Sequence, residues 1–199
     1  MKHIIIEGGD RLGKSTIIDS LNKHFNYDNV TIRHFGKPPK TFPSGFSPLE
    51  FQAECFDKEA ELMVYLRQFE NDVFNYFENV LIWNRAHLGE YVYGQMFRGQ
   101  DPLGIKKYLE SYESKYLIDH PDETYLFLLT ANDPEFFLSK EDGNSFSQSL
   151  EEKERELRLF DEAFENSLID KKFKIIVNNG KEFLPKDMIF SYVTQFLKT

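Results

Sequence analysis

The residues best typed and spaced for chemistry lie in one run near the amino terminus, Ile4-Ile5-Ile6-Glu7-Gly8-Gly9-Asp10-Arg11-Leu12-Gly13-Lys14-Ser15-Thr16. Residues 8–15 match the spacing glycine, four residues, then Gly-Lys-Ser, which marks a nucleoside triphosphate site. The glycines let the backbone curl until successive N–H groups point inward at phosphate oxygens. A helix starting near Lys14 adds its positive end. Lys14 supplies a full charge against the β- and γ-phosphates, and the Ser15 hydroxyl is placed for Mg²⁺. The context agrees: Ile4, Ile5 and Ile6 form a β-branched run, and Ile17, Ile18, Leu21 and Phe25 recur at helical spacing.

The elements that must hold this loop alternate along the chain. Strands are predicted over 29–34, 80–83, 124–129 and 174–177. Ser47-Pro48-Leu49-Glu50 is a capping box that opens a helical region running toward residue 79. Asp101-Pro102 and Ser149-Leu150-Glu151-Glu152 start two more helices, and a last one follows Pro185. Short apolar strands alternating with helices predict a five-stranded parallel sheet covered on both faces, an α/β fold of three layers. Ligands of such sheets sit at the carboxyl ends of the strands. That rule gathers the glycine loop, the Lys37 loop between Gly36 and Pro38, Asn84-Arg85 and the segment after Leu129 into one cleft.

Bulk properties narrow the partners. With 199 residues, the chain is expected to form one domain, 1–199. A hydrophobic fraction of 41% with 20 Phe and 10 Tyr is too apolar for disorder. A net charge of −9 argues against a general nucleic-acid surface. The lone Cys55 can form no internal disulfide, and no apolar run reaches the length of a membrane span, so a cytoplasmic protein is expected. The histidines show no zinc-ligand spacing. Arg155 and Arg158 follow Glu151 and Glu154 by four residues, the order of surface helix pairs.

The opening run resembles that of the thymidylate kinases, a P-loop nucleoside monophosphate kinase family in which E-G-x-D-x-x-G-K-[ST]-T begins the chain. A strand ending in Asp-Arg normally follows, and Val80-Leu81-Ile82-Trp83-Asn84-Arg85 takes its place. The resemblance implies that Gly8, Gly9, Asp10, Arg11, Leu12, Gly13, Lys14, Ser15 and Thr16 bind ATP and its Mg²⁺. It places Asp10 near the acceptor's sugar hydroxyl and Arg85 on the acceptor phosphate. A lid is expected over 136–150, and its body, 136–148, holds Lys140 and no arginine. This resembles the branch whose arginine lies in the loop, which makes Arg11 the group that meets charge on the transferring phosphoryl. Asn84 stands where the family has aspartate, so its amide would reach the metal through a bound water. Glu7, the family's own residue, belongs to the expected site, whereas Glu90 reads as a solvated helix residue.

For the acceptor base, the family's pattern points to the region of Tyr65, Arg67 and Phe69, with Arg67 and Phe69 as the contacts. Arg33, Lys37 and Arg98 are further cations for an anionic substrate. The implied reaction is in-line transfer of the γ-phosphoryl of ATP to a deoxynucleoside monophosphate, dTMP first among them, in a homodimer that takes small nucleotides and neither membrane nor nucleic acid. The alternatives are a deoxynucleoside kinase with Glu7 as base, a kinase of modified bases in DNA, and a nucleotide-binding regulatory protein with weakened catalysis.

Overall fold

The computed structural model describes residues 2–26, 30–35, 80–118 and 123–198, with the helical positions Glu54, Asp57, Lys58 and Glu61 between them. The rest of the predicted 47–79 helix, the 36–40 turn, Cys55, Tyr65, and the candidates Lys37, Arg67 and Phe69 lie outside the described residues.

Strand β1 (Lys2–Glu7) leads through the glycine loop into helix α1 (Lys14–His24), and β2 (Val30–His34) follows. Then come β3 (Val80–Asn84), α2 (Leu88–Phe97), α3 (Pro102–Glu113) and β4 (Glu123–Thr130). A short α4 (Pro134–Leu138), the long α5 (Leu150–Asn166), β5 (Lys172–Ile176), a hairpin of β6 (Asn178–Asn179) and β7 (Glu182–Phe183), and α6 (Lys186–Phe196) complete the chain. The five long strands form one parallel sheet in the order β2-β3-β1-β4-β5. The expected α/β architecture is therefore present.

Side-chain alternation along β1 builds the three layers, because successive residues of a strand face opposite ways. Ile4 and Ile6 join Ile17, Ile18 and Leu21 of α1 and Val193 of α6 in one core. Ile5 joins Tyr91 and Val92 of α2 and Phe160 of α5 in the other. The caps act as the sequence implied: Asp101 accepts from the Gly104 amide, and Ser149 and Glu152 form a reciprocal capping box.

Two segments differ from expectation. The last long strand begins at Lys172, two residues before the predicted start, because it is a sheet edge where lysines alternate with Phe173 and Ile175. Lys172 Nζ donates to the carbonyls of Phe164, Glu165 and Ser167 at the end of α5. The β6–β7 hairpin was not predicted; its strands are two residues each and turn at Gly180, whose φ is +62°. Among the described residues no helix is long and apolar enough to cross a membrane.

Candidate active site

Backbone geometry shapes the glycine loop. Gly8 lies at φ +130°, and a Cβ there would stand 2.1 Å from the Leu129 carbonyl oxygen of β4. A Cβ on Gly9 would meet the Phe137 ring at 2.4 Å. Both positions exclude a side chain because the loop presses on the sheet and on α4. Gly13, left-handed at φ +87°, caps α1.

Lys14 is 5% exposed, and its Nζ donates to the carbonyl oxygens of Gly8 (2.7 Å) and Gly9 (2.6 Å). Burial, then the neighbouring Arg85 charge, lowers its pKa to about 8, against the opposing pull of Asp10 and Glu7. Arg85 comes from the end of β3, at φ +64°, and its Nη2 donates to Asp10 Oδ1 at 2.6 Å. The sheet register sets Ile6 beside Asn84, so Arg85 arrives opposite the loop although 71 residues separate it from Lys14 (85 − 14). Between them lies a cleft of about 460 Å³ lined by Asp10, Arg11, Gly13, Lys14, Ser15, Thr16, Asn84, Arg85 and Phe183. The structure thus gathers the loop residues and Asn84-Arg85 as the strand-end rule predicted. Phe183 enters on the unpredicted hairpin; an isolated Phe in a two-residue strand gives no periodic signal.

Asn84 uses its Nδ2 toward His34 Nδ1, 2.8 Å away, while its Oδ1 is buried without a partner. Glu7 is fully buried, and its Oε1 accepts from the Ala86 and Leu88 amides, both at 2.9 Å. It therefore clamps the turn that presents Arg85. Burial raises its pKa, opposed by the His87 and Lys14 charges and the two amides. His87 in turn meets Glu113 at 2.6 Å.

The predicted lid requires correction. Residues 136–138 belong to α4, with Phe136 and Phe137 in the core, because Phe137 packs beneath Gly9. The connecting loop is 139–149. Glu141 organises it by accepting from the amides of Asp142, Gly143 and Ser145 and pairing with Lys153. Partial burial opposes ionisation there, yet the bonds from Ser145 and Lys153 prevail and hold the Glu141 pKa at about 2. Arg11, at φ +67°, reaches across to pair with Asp142 on this loop.

Three other readings change. Glu90 is not solvated: it is buried against Arg98, and that pair keeps Arg98 out of the cleft. Arg155 donates to the Gln95 carbonyl at 3.3 Å, a contact with α2 that helix spacing cannot show. Glu156 was missed altogether. It is buried, accepts from the Tyr93 hydroxyl at 2.8 Å, and borders Gly9. Burial raises its pKa. Its signal was present, since Lys153 and Glu156 sit seven and four residues before Phe160, on the apolar stripe of α5.

With that geometry established, similar solved structures can be compared. The YorR protein from Bacillus subtilis, solved in complex with phosphorylated GDP, superposes with a TM-score of 0.62 at 19% identity, covering 98% of this chain and 95% of its own. Thymidylate kinase from Ehrlichia chaffeensis gives 0.57 at 16% identity, with 98% of each chain covered. The chain has the thymidylate kinase-like fold. Deoxyadenosine kinase from M. mycoides, with products dCMP and dCDP bound, shares this fold, at a TM-score of 0.56, 16% identity and 100% and 99% coverage. No family profile matches the sequence. No curated protein sequence matches it either.

Proposed function

We propose that the protein transfers the γ-phosphoryl of ATP to the phosphate of a deoxynucleoside monophosphate, with dTMP the acceptor that the sequence pattern names first. One observation carries this reading: cations from two separate strand ends, Lys14 on the loop side and Arg85 opposite, face a single cleft. Two anions must meet in line in such a reaction, and a cation on each side positions them. An acceptor phosphate oxygen attacks Pγ, the new O–P bond forms as the β,γ-bridging bond breaks, and ADP leaves with the electron pair. The acceptor is already anionic, so no base need remove a proton.

Each side chain has a part. Lys14 exchanges its two carbonyl partners for phosphate oxygens. Arg85, held by Asp10 and by the turn that Glu7 clamps, takes the acceptor phosphate. Arg11 leaves Asp142 and meets the transferring phosphoryl; that pair is exposed, so its release costs little. The donor set fits Mg²⁺: the Ser15 hydroxyl lines the cleft, and the buried, unpartnered Asn84 Oδ1 can accept from a metal-bound water. Mg²⁺ bound there would neutralise charge on the phosphates.

The nucleoside kinase alternative needs a carboxylate base facing the acceptor, and Glu7, fully buried with Oε1 held by two backbone amides and Oε2 unpartnered, is not among the residues that line the cleft. This favours a phosphate acceptor. The neighbours' own nucleotides differ, phosphorylated GDP in one and dCMP with dCDP in another, which leaves the base to residues particular to each chain. A coupled ADP-release screen across deoxynucleoside monophosphates and nucleosides is the test. ADP release with a monophosphate is expected. Release only with nucleosides overturns the acceptor assignment, and ATP binding without release supports the regulatory alternative. The homodimer implied by the resemblance is checked by sedimentation of the same preparation.

A further inference from the structure

The reaction above gives no part to Phe183, the one aromatic among the described residues that line the cleft. Its side chain is 41% exposed. A lone exposed ring is ordinary on a protein surface. This one stands against a phosphate loop on a firm support. The Val177 N–H donates to the Thr130 carbonyl at 2.8 Å, the Asn132 N–H to Asn178 Oδ1 at 3.1 Å, and the Leu184 N–H to the Val177 carbonyl at 2.8 Å, so the β6–β7 hairpin is tied to the carboxyl end of β4. Phe136, itself buried, meets the Phe183 ring edge to face, with centroids 4.9 Å apart and planes at 82°. Lys140 Nζ lies 4.7 Å from the Phe136 centroid and 5.4 Å from that of Phe183.

The sheet order tells which part of a substrate comes here. It runs β2-β3-β1-β4-β5. Arg85 follows β3, the glycine loop follows β1, and the hairpin follows β5. In-line transfer sets the entering oxygen and the departing one on opposite sides of the phosphorus. With the acceptor phosphate at Arg85 and the polyphosphate on the loop, the rest of the donor must continue away from β3, toward β4 and β5. On that side the cleft is lined by Phe183.

We propose that Phe183 is the platform on which the base of the phosphoryl donor stacks, and that the donor site therefore takes purine nucleoside triphosphates in general, GTP as readily as ATP. The assignment rests on the phosphotransfer reading, which fixes the acceptor side. A phenyl ring carries neither a hydrogen-bond donor nor an acceptor of the ordinary kind, so it reads the flat face of a base and not its edge. Adenine and guanine differ at the edge. Their two-ring faces are alike, and each offers more area to a stacked ring than a pyrimidine does. The contacts with Phe136 and Lys140 hold the Phe183 ring in place before a base arrives, which limits the freedom lost on binding.

Calorimetry of the purified full chain with Mg²⁺ and ATP, GTP, CTP or inorganic triphosphate tests this separately from ADP release. ATP and GTP are expected to bind within about fivefold of each other, and both more tightly than CTP or triphosphate. Phe183→Leu, which keeps apolar bulk against Phe136, should weaken ATP and GTP by about 5- to 100-fold and leave triphosphate binding unchanged. Phe183→Tyr, which keeps a ring face, should retain both. A wider gap between ATP and GTP, in either direction, overturns the tolerance of the site. The platform itself is overturned by unchanged ATP binding in Phe183→Leu, by an equal loss of triphosphate binding there, by as large a loss in Phe183→Tyr, or by wild-type ATP binding no tighter than triphosphate. The expected binding pattern without ADP release for any acceptor leaves the stacking assignment standing and sinks the phosphotransfer reading; ADP release with ATP binding unchanged in Phe183→Leu does the reverse.

Discussion

Arg11–Asp142 at the rim of the cleft and Arg98–Glu90 behind α2 join the same two functional groups, yet their surroundings differ. The side chains of the first pair are 46% and 42% exposed, those of the second 3% and 0%. Water screens the rim pair, so it is easily broken and remade. The inner pair is sealed from water, so removing one partner leaves the other charge buried. One arrangement suits a side chain that must travel to a reacting phosphoryl. The other suits a fixed part of the packed interior.

The sharpest way to break this contrast is to remove one partner at each place. Glu90→Leu should destabilise the protein by about 3–5 kcal/mol in denaturant unfolding, with much of the loss restored in the double variant Glu90→Leu/Arg98→Met. A loss no larger than for a surface residue would show that the inner pair is not sealed. Next come the reacting cations: Lys14→Ala and Arg11→Ala should each lower turnover at least about a hundredfold. Nearly wild-type turnover in Arg11→Ala would return that arginine to the surface.

The buried Lys14 supplies a pH signature that the exposed Arg11 lacks. Its pKa falls from 10.5 to about 8 on folding, so between those values the unfolded chain binds more protons and this group's contribution makes stability rise with pH. Polyphosphate should restore the charge. ATP binding just above pH 8 is therefore expected to take up a proton, visible as a dependence of calorimetric heat on buffer ionisation enthalpy; proton release would contradict the placement of Lys14. A smaller effect is expected from Asn84→Asp, a few-fold gain in rate or a lower Mg²⁺ requirement, and a neutral result removes position 84 from the metal shell. Least of all, Asp142→Asn should change turnover no more than a few-fold and leave the melting temperature almost unmoved.

Legibility in the sequence followed the range of the interactions. The glycine loop, the caps of α3 and α5 and the alternation of strands with helices were readable because spacing within a few residues specifies them. The boundary of the lid was not, since Phe136 and Phe137 look like any polar-flanked aromatics until Gly9 is seen to rest on them. Glu90 misled for the same reason: its partner follows eight residues later, beyond the spacing at which helix neighbours meet. Glu156 and Lys153 could have been found as charges on an apolar stripe, but their contacts with Tyr93 and Glu141 lie on other elements.

By itself the sequence determined the parallel three-layer class and the amide-lined loop with Lys14 at its end, because period, glycine spacing and capping are local properties of a chain. Only the tertiary structure decided that Arg85 and Lys14 line one cleft, that Glu7 clamps the turn after Arg85, that Phe183 joins the lining, and that Glu90 is buried against Arg98. Those facts depend on strand register and on which faces pack together, and burial then sets the charge and pairing of every group involved.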